Sequence, residues 1–378
     1  MDVVDRVRCG MREILALNCG SSSLKYAVFA GPDPVLRGEI AKIGSGGVSD
    51  HAHAVHAVFD ALAKANITNL RGVGHRVVHG GPDHAAPLLV DDAVLASLAK
   101  AIPFAPLHLP VELATVRAVS QRFAGLAQVV CFDTAFHRTL PEVASRFALP
   151  SALFDSGVRR YGFHGLSYEY VVESLGARLL GRAVIAHLGS GASMVATRDG
   201  RSVETTMGFT PAAGLVMGTR PGDLDPGLLV YLLEHRGYDA ASLDRLVNHE
   251  AGLLALSGTT SDMAKLLAAR ASDPRARLAV DLFCYQARKW VGALAAAIDG
   301  LDTLVFTGGI GEHSPEVRLE ICRSLRHLGI SMDEARNRAS EAIVSAEGSG
   351  CRVRVVTTDE ERMIARHTAV VLGAENER

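Results

Sequence analysis

The sequence predicts an α/β fold assembled from two similar halves. Three observations carry that expectation. Short β-branched runs alternate along the chain with stretches of 3.6-residue periodicity, the signature of strands interleaved with helices. Two segments repeat one plan of strand, Gly/Ser turn and strand: Ile14 to Phe29, and Val184 to Ala196. Finally, 37 glycines against only 5% aromatic residues cluster at the ends of apolar runs, where α/β proteins bind phosphates. Paired hairpins of this kind suggest a duplicated fold closing over a nucleotide, although a single Gly/Ser turn is an ordinary hairpin connection.

In chain order, residues 1–12 read as an extension, with Met11 a candidate start, because the first strand, Ile14 to Asn18, follows at once. A helix from Pro110 to Phe123 has proline near its first turn and Gly125 beyond its end. It leads to a buried strand, Gln128 to Phe132, that stops at Asp133. The stretch Pro150 to Tyr161 is the expected domain junction, followed by a helix starting near Ser167. Asp281 to Ile298 reads as a long helix and Thr303 to Thr307 as a strand. Ser314-Pro315-Glu316 has the N-cap, first-turn proline and acidic first turn of a helix running to about Leu328. Thr358-Asp-Glu-Glu361 is a candidate capping box for a last helix reaching Val371. The expected domains are therefore 13–150 and 151–357, with the helix at about 358–373 packing back on the first.

Composition narrows the function classes. The 378 residues carry 39 Lys plus Arg against 41 Asp plus Glu, a net charge of -2, which argues against nucleic acid or an anionic membrane as partner. No apolar run approaches the roughly 18–20 residues of a transmembrane helix. The charged N-terminus lacks the apolar core of a secretory signal. Six cysteines stand far apart without a CxxC pair, which fits a reducing cytosol rather than zinc or a disulfide framework.

Several segments could carry chemistry. In Asn18 to Lys25, small residues let backbone N–H groups approach phosphate, and Lys25 adds a mobile charge; an ordinary hairpin with an exposed lysine is the alternative. Arg76 and Val78, on one face of a short strand before Gly80-Gly81, could read a small aliphatic carboxylate; an edge arginine in solvent is the other reading. Asp133 stands at the carboxyl end of a strand, where ligands bind, or else it caps the next helix. His164 lies in Tyr161-Gly-Phe-His-Gly165 and is either structural or catalytic. The run at His51, His53 and His56 reads as a helix face. Thr205 to Gly227 is long and rich in Gly and Pro, and Arg220 is its natural anion ligand. Gly308-Gly-Ile-Gly-Glu312 sits between a strand and a helix start, as a nucleotide turn would.

Taken together, these segments resemble the acetate kinase family of short-chain acyl kinases, from about Ile14 to Gly373. The resemblance rests on Asn18-Cys-Gly-Ser-Ser-Ser-Leu-Lys25, Gly74 to Gly81, Phe132-Asp-Thr-Ala-Phe-His137, Arg160-Tyr-Gly-Phe-His-Gly165 and Thr206-Met-Gly-Phe-Thr-Pro211. Gly218-Thr-Arg-Pro-Gly-Asp-Leu-Asp-Pro226, Val305 to Glu312 and Thr358 to Glu361 complete it. It implies duplicated ribonuclease-H-like, actin-like ATPase domains with mixed central sheets and a cleft between them. It also implies transfer of the ATP γ-phosphoryl group to acetate, giving acetyl phosphate and ADP, with Mg²⁺ (Mn²⁺ as an alternative), in a cytoplasmic homodimer. The alternatives are a propionate or butyrate kinase of the same family, or an actin-like ATP-binding protein without acyl transfer.

The roles implied by resemblance fall residue by residue. Asn18 and Glu360 would sit at the metal, Lys25 at the nucleotide phosphates and Arg76 at the substrate. Asp133 would be the active-site carboxylate, while His164 and Arg220 would stabilise the transferring phosphoryl group. His187, Leu188, Gly189, Ser190 and Gly191 would line the phosphate side of the ATP site. Gly308, Gly309, Ile310, Gly311 and Glu312, with Asp262, would line its nucleoside side. The acyl pocket maps to Val78, Leu107, Phe163 and Pro211.

A carboxylate acceptor, with a pKa of roughly 4–5, is already ionised at neutral pH. No strong base is needed, so Asp133 is expected to orient Mg²⁺ and its waters. With Thr358 as N-cap, Glu361 would close the capping box and leave Glu360 to the metal. Val78 leaves little room for a longer chain, which puts acetate ahead of propionate. Departures from the family pattern at Leu109, Leu166, Tyr168, Ser190 and Ala264 ring the site without touching the expected catalytic residues.

Overall fold

The computed structural model describes residues 13–20, 23–44 and 48–375. The expected extension 1–12, its candidate start Met11, and Ser21 and Ser22 of the first turn lie outside the described residues. The chain forms two compact units: one holds the residues up to Ala135, Gly165–Tyr170 and the chain from Asp359 on; the other holds Phe136–His164 and Val171–Thr358. The first crossover thus falls at 135/136, upstream of the 150/151 boundary expected from the sequence. Its cause is long-range: His137 bonds Ser202 and the Phe163 carbonyl, and Arg160 bonds the carbonyls of Thr205 and Thr206, all within the second unit.

The first unit is built on β1 (Glu13–Cys19), β2 (Ser23–Phe29), β3 (Pro34–Ala41), β4 (Leu70–Val77), β5 (Leu88–Leu89) and β6 (Gln128–Phe132). Their order in the sheet is β3-β2-β1-β4-β6-β5. The first three strands are antiparallel, β1, β4 and β6 run parallel, and β5 closes the edge antiparallel to β6. The second unit repeats the plan with β7 (Arg182–Leu188), β8 (Ala192–Arg198), β9 (Arg201–Thr205), β10 (Thr303–Thr307) and β11 (Arg352–Val355), ordered β9-β8-β7-β10-β11. Two mixed sheets of one topology are the duplicated α/β fold expected from the echoing hairpins.

Side-chain alternation along β1 decides which residues reach the site. Leu15, Leu17 and Cys19 face a core with Val55, Val58 and Leu62 of the His51–Lys64 helix. Ile14 and Ala16 face the opposite core, with Met363 and Ile364 of the Glu360–Glu375 helix. Asn18, in step with Ile14 and Ala16, therefore points to the side of the C-terminal helix. That helix lies close over β4 because Gly74 has no side chain there. A Cβ on Gly74 would collide with Thr368 Oγ1 and come within 2.6 Å of Ile364 Cγ2.

Element ends differ from the sequence reading in three places. The long helix runs Pro274–Ala297, starting before Asp281, because Asp273 accepts from the Arg275 N–H and Pro274 occupies the first turn. The helix opened at Pro315 ends at Cys322, and a short 3-10 turn at Arg326–Leu328 replaces its expected continuation. The last helix begins at Glu360, and its cap is Asp359, whose Oδ1 accepts from the Arg362 N–H at 3.0 Å. Thr358 is not the cap, so the expected Thr358–Glu361 capping box does not form. Among the described residues no helix is long and apolar enough to cross a membrane. The five described cysteines are buried and free.

Candidate active site

In the first unit, the carboxyl ends of β1, β4 and β6 bring Asn18, Arg76 and Asp133 together. Arg76 donates from Nε to Asp133 Oδ1 and Oδ2 at 3.1 and 3.0 Å, and from Nη2 to Oδ2 at 2.5 Å. Both carboxylate oxygens are thus taken by the guanidinium, a two-point pair that fixes the Arg76 plane. Asp133 is fully buried and the Arg76 side chain is 14% exposed. Burial works against the Arg76 charge, but Asp133 and then Glu360 outweigh it and hold the group firmly protonated. Its remaining nitrogen, Nη1, makes a long contact of 3.4 Å to Asn18 Oδ1.

Asn18 joins this pair to the C-terminal helix. Its Nδ2 donates to Glu360 Oε2 at 2.8 Å and to Glu361 Oε1 at 3.0 Å. Glu361, expected to be spent on a capping box, is free for this because Asp359 has taken the cap. Its carboxyl is raised by burial and by the neighbouring Glu360. Lys25 is exposed and lies directly opposite Asn18 in the β1–β2 ladder. Asn18, Glu360 and Glu361 offer hard oxygen donors of the kind Mg²⁺ takes. Among the described residues no group of three or more His, Cys, Asp or Glu is placed to hold a metal. One or two carboxylates completed by phosphate oxygens and water is the usual protein share for Mg²⁺, so the set fits.

Strand β4 ends at Val77, and Val78 follows it, nearly fully buried. The Val78 N–H donates to Glu112 Oε2 at 3.0 Å. Glu112, in the Leu109–Arg122 helix, went unremarked in the sequence because a glutamate in a helix's first turn is what the dipole favours anyway. Leu107 lies half-buried just before that helix.

The second unit places His164 and Arg220 over β7 and β8. His164 sits in the left-handed region at φ 60°, a conformation that places its ring against the sheet. Its Nδ1 lies 2.8 Å from Ser193 Oγ, and its ring stacks on His187 with centroids 4.3 Å apart. Arg220 is anchored by its Nη1, which donates to the Pro211 carbonyl at 2.6 Å. Gly191 marks where the two meet. A Cβ there would lie 2.9 Å from Arg220 Nη2 and 3.3 Å from His164 Nε2. Phe163, beside His164, is buried.

The turns expected to hold the nucleotide are ordered by their own bonds. Gly189 N–H donates to the Gly191 carbonyl, and Gly218 N–H to the Ser190 carbonyl. Glu312 is occupied by the turn itself. Its Oε1 accepts from the N–H groups of Gly308 and Thr358, at 2.9 and 3.1 Å. Asp262 caps the Met263–Ala269 helix by accepting from the Ala264 N–H. Both carboxylates therefore shape the loops they sit in. Leu188 ends β7, while Gly309, Ile310 and Gly311 continue the Gly308–His313 helical turn.

Several known proteins match this chain over nearly its whole length. A model described as the Acetokinase family matches residues 13–366. The acetate kinase of Nitrobacter hamburgensis is 44% identical over 96% of this chain and 96% of its own. The crystal structure of Porphyromonas gingivalis acetate kinase superposes with a TM-score of 0.86 at 37% identity, covering 96% of this chain and all of that one. A propionate kinase from Francisella tularensis gives 0.89 at 34% identity, over 94% and 99% of the two chains.

Proposed function

The chain belongs to the acetokinase family, and we propose that it transfers the γ-phosphoryl group of ATP reversibly to acetate, giving acetyl phosphate and ADP. The observation that carries this reading is the Arg76–Asp133 pair. A guanidinium fixed on one edge by a buried aspartate keeps Nη1 for a second carboxylate, which is what a carboxylic-acid acceptor needs. An actin-like nucleotide-binding protein would have no use for Arg76, His164 and Arg220 together.

The acceptor enters ionised, so the residues need only align it and neutralise charge. Arg76 holds and orients the acyl carboxylate, with Val78 and Leu107 on its apolar side. Asp133 takes up Arg76 on both oxygens, so its first role is to place that guanidinium. His164, with Nδ1 engaged by Ser193, presents Nε2 toward the transferring phosphoryl group, and Arg220 presents Nη2. Phe163 and Pro211 flank these two groups. Asn18 and Glu360 would hold Mg²⁺, with Mn²⁺ as a substitute; the ion supplies charge neutralisation of the phosphates when bound. Lys25 and the 187–191 turn serve the phosphates, and the 308–312 turn and the neighbourhood of Asp262 the nucleoside.

Acetate-dependent ADP release in the presence of Mg²⁺ is the experiment that tests this reading. ADP release indifferent to acetate would contradict it. Propionate is the second reading, favoured by the likeness to the Francisella enzyme. Buried Val78 places it below acetate, because one methylene in such a pocket is worth about 1–3 kcal/mol.

A homodimer belongs to the same reading. The Pro226–His235 helix of the second unit buries none of its residues, yet carries Leu228, Val230, Tyr231 and Leu233 between 42% and 51% exposed. A helix apolar on all sides calls for a covering partner, and a second copy is the one proposed. The reducing cytoplasm suits the free buried cysteines.

A further inference from the structure

Among the described residues, Glu112 is the one buried carboxyl beside the acyl-binding arginine to which the reaction described above assigns no part. It is 2% exposed. Its Oε2 accepts from the Val78 N–H at 3.0 Å, while Oε1 has no hydrogen-bond partner. The titratable and charged groups acting on it are Arg76 of β4, Asp133 at the end of β6 and Cys19 of β1, with Glu360 of the last helix acting on Arg76 from beyond. Arg76 does not bond it: Nε and Nη2 go to Asp133, and Nη1 makes only the long contact to Asn18.

This geometry is hard to reconcile with an ionised Glu112. A buried carboxylate with one oxygen unpaired carries the full cost of desolvation, and a proton removes most of it. The charge balance points the same way. Arg76 already faces Asp133 and Glu360, so a third negative charge beside it would add repulsion against an acyl carboxylate.

We propose that Glu112 is a positioning residue of the acyl site that works as a neutral carboxylic acid, anchoring the Val78 backbone and leaving the Arg76 charge to the incoming carboxylate. The inference rests on the acyl kinase reading given above. It extends that reading to a residue that touches no reacting atom, acting through Val78 and Arg76. Burial, opposed by Arg76, pushes the Glu112 carboxyl up to about 8, so the acid form persists through neutral pH. Above that value an ionised Glu112 competes for Arg76 and repels the substrate.

Two measurements test it. The first is KM for acetate against pH in the wild type, Glu112→Gln and Glu112→Ala. In the wild type KM should rise above about pH 8, approaching tenfold per unit, as expected when one ionisation abolishes binding. Glu112→Gln keeps an acceptor for Val78 and cannot ionise, so its KM should lose this rise, with KM for ATP following the same course in both proteins. Glu112→Ala loses the anchor and should raise KM for acetate at every pH, by about tenfold for one hydrogen bond. An alkaline rise that persists unchanged in Glu112→Gln overturns the proposal.

The second measurement is independent of turnover. The folded carboxyl binds its proton more tightly than the unfolded one. Wild-type stability therefore falls as pH rises from the ordinary carboxyl value of 4.5 to about 8, and then levels. Glu112→Gln escapes that loss, so the Tm of the variant relative to wild type should climb across this window. A constant Tm difference would mean that Glu112 is ionised in the folded protein, and the proposal fails. Absence of any acetate-dependent turnover, with the Tm difference still climbing, would instead sink the acyl kinase reading and confine Glu112 to a protonated anchor.

Discussion

Both oxygens of Asp133 are held by the Arg76 guanidinium, through Nε and Nη2, at 2.5 to 3.1 Å. The sequence suggested separate tasks for the two residues, substrate for one and metal for the other. Their pairing makes the aspartate the support on which the arginine is aimed. Asp133→Asn should therefore raise KM for acetate at least about tenfold, the expectation for weakening one charge-assisted hydrogen bond. The measurement is KM for acetate at saturating Mg²⁺. A change confined to Mg²⁺ affinity would restore the metal role first expected for Asp133.

Arg220 is anchored through Nη1 at the Pro211 carbonyl, and its Nη2 lies beside Gly191. In the reaction proposed above, its charge would act mainly while the phosphoryl group is in transit. Arg220→Ala should lower kcat on the order of 10³-fold with smaller effects on either KM, as for other arginines that act in phosphoryl-transfer transition states. An unchanged kcat would remove Arg220 from the reaction.

Gly191 is the point where Arg220 and His164 approach one another over the β7–β8 turn. Gly191→Ala puts a methyl group 2.9 Å from one and 3.3 Å from the other. The fold should survive, because the crowding falls on side-chain ends, while kcat should drop about 10²-fold for a displacement near 1 Å. Circular dichroism melts alongside turnover separate the two outcomes. Full activity would mean that neither side chain needs its present place.

In the first unit, Gly74 performs a structural task beside Asn18. With any side chain there, the Glu360–Glu375 helix could not lie against β4, and Glu360 and Glu361 would be lifted from Asn18. Gly74→Ala should cost about 1–3 kcal/mol, the usual range for overpacking a close contact. Urea unfolding measures it. A wild-type midpoint would show that the helix can shift without loss.

The sheets were legible in the sequence for a physical reason. Gln128–Phe132 and Thr303–Thr307 are fully buried, so burial wrote a continuous apolar run that breaks sharply at both ends. The hairpins were legible because antiparallel strands joined by two or three small residues must read that way. What escaped notice depends on contacts between distant segments. Thr358 and Asp359 are both good caps side by side, and the choice between them follows from Asp359 also binding Arg37 and Arg362. Glu112 looks like any first-turn glutamate until Val78 and Arg76 close over it. The expected nucleotide role of Glu312 gave no hint that its carboxylate would be spent on Gly308 and Thr358.

The central claim is that a carboxylate accepts the phosphoryl group, and its most direct test is the identity of the product. Protein incubated with ATP, Mg²⁺ and acetate, then quenched with hydroxylamine, should yield acetohydroxamate in step with ADP. The yield should collapse in Arg76→Ala, and propionate should give the corresponding hydroxamate at lower kcat/KM. ADP without any hydroxamate, or propionate matching acetate, would contradict the reading of Arg76 and Val78 on which the rest depends.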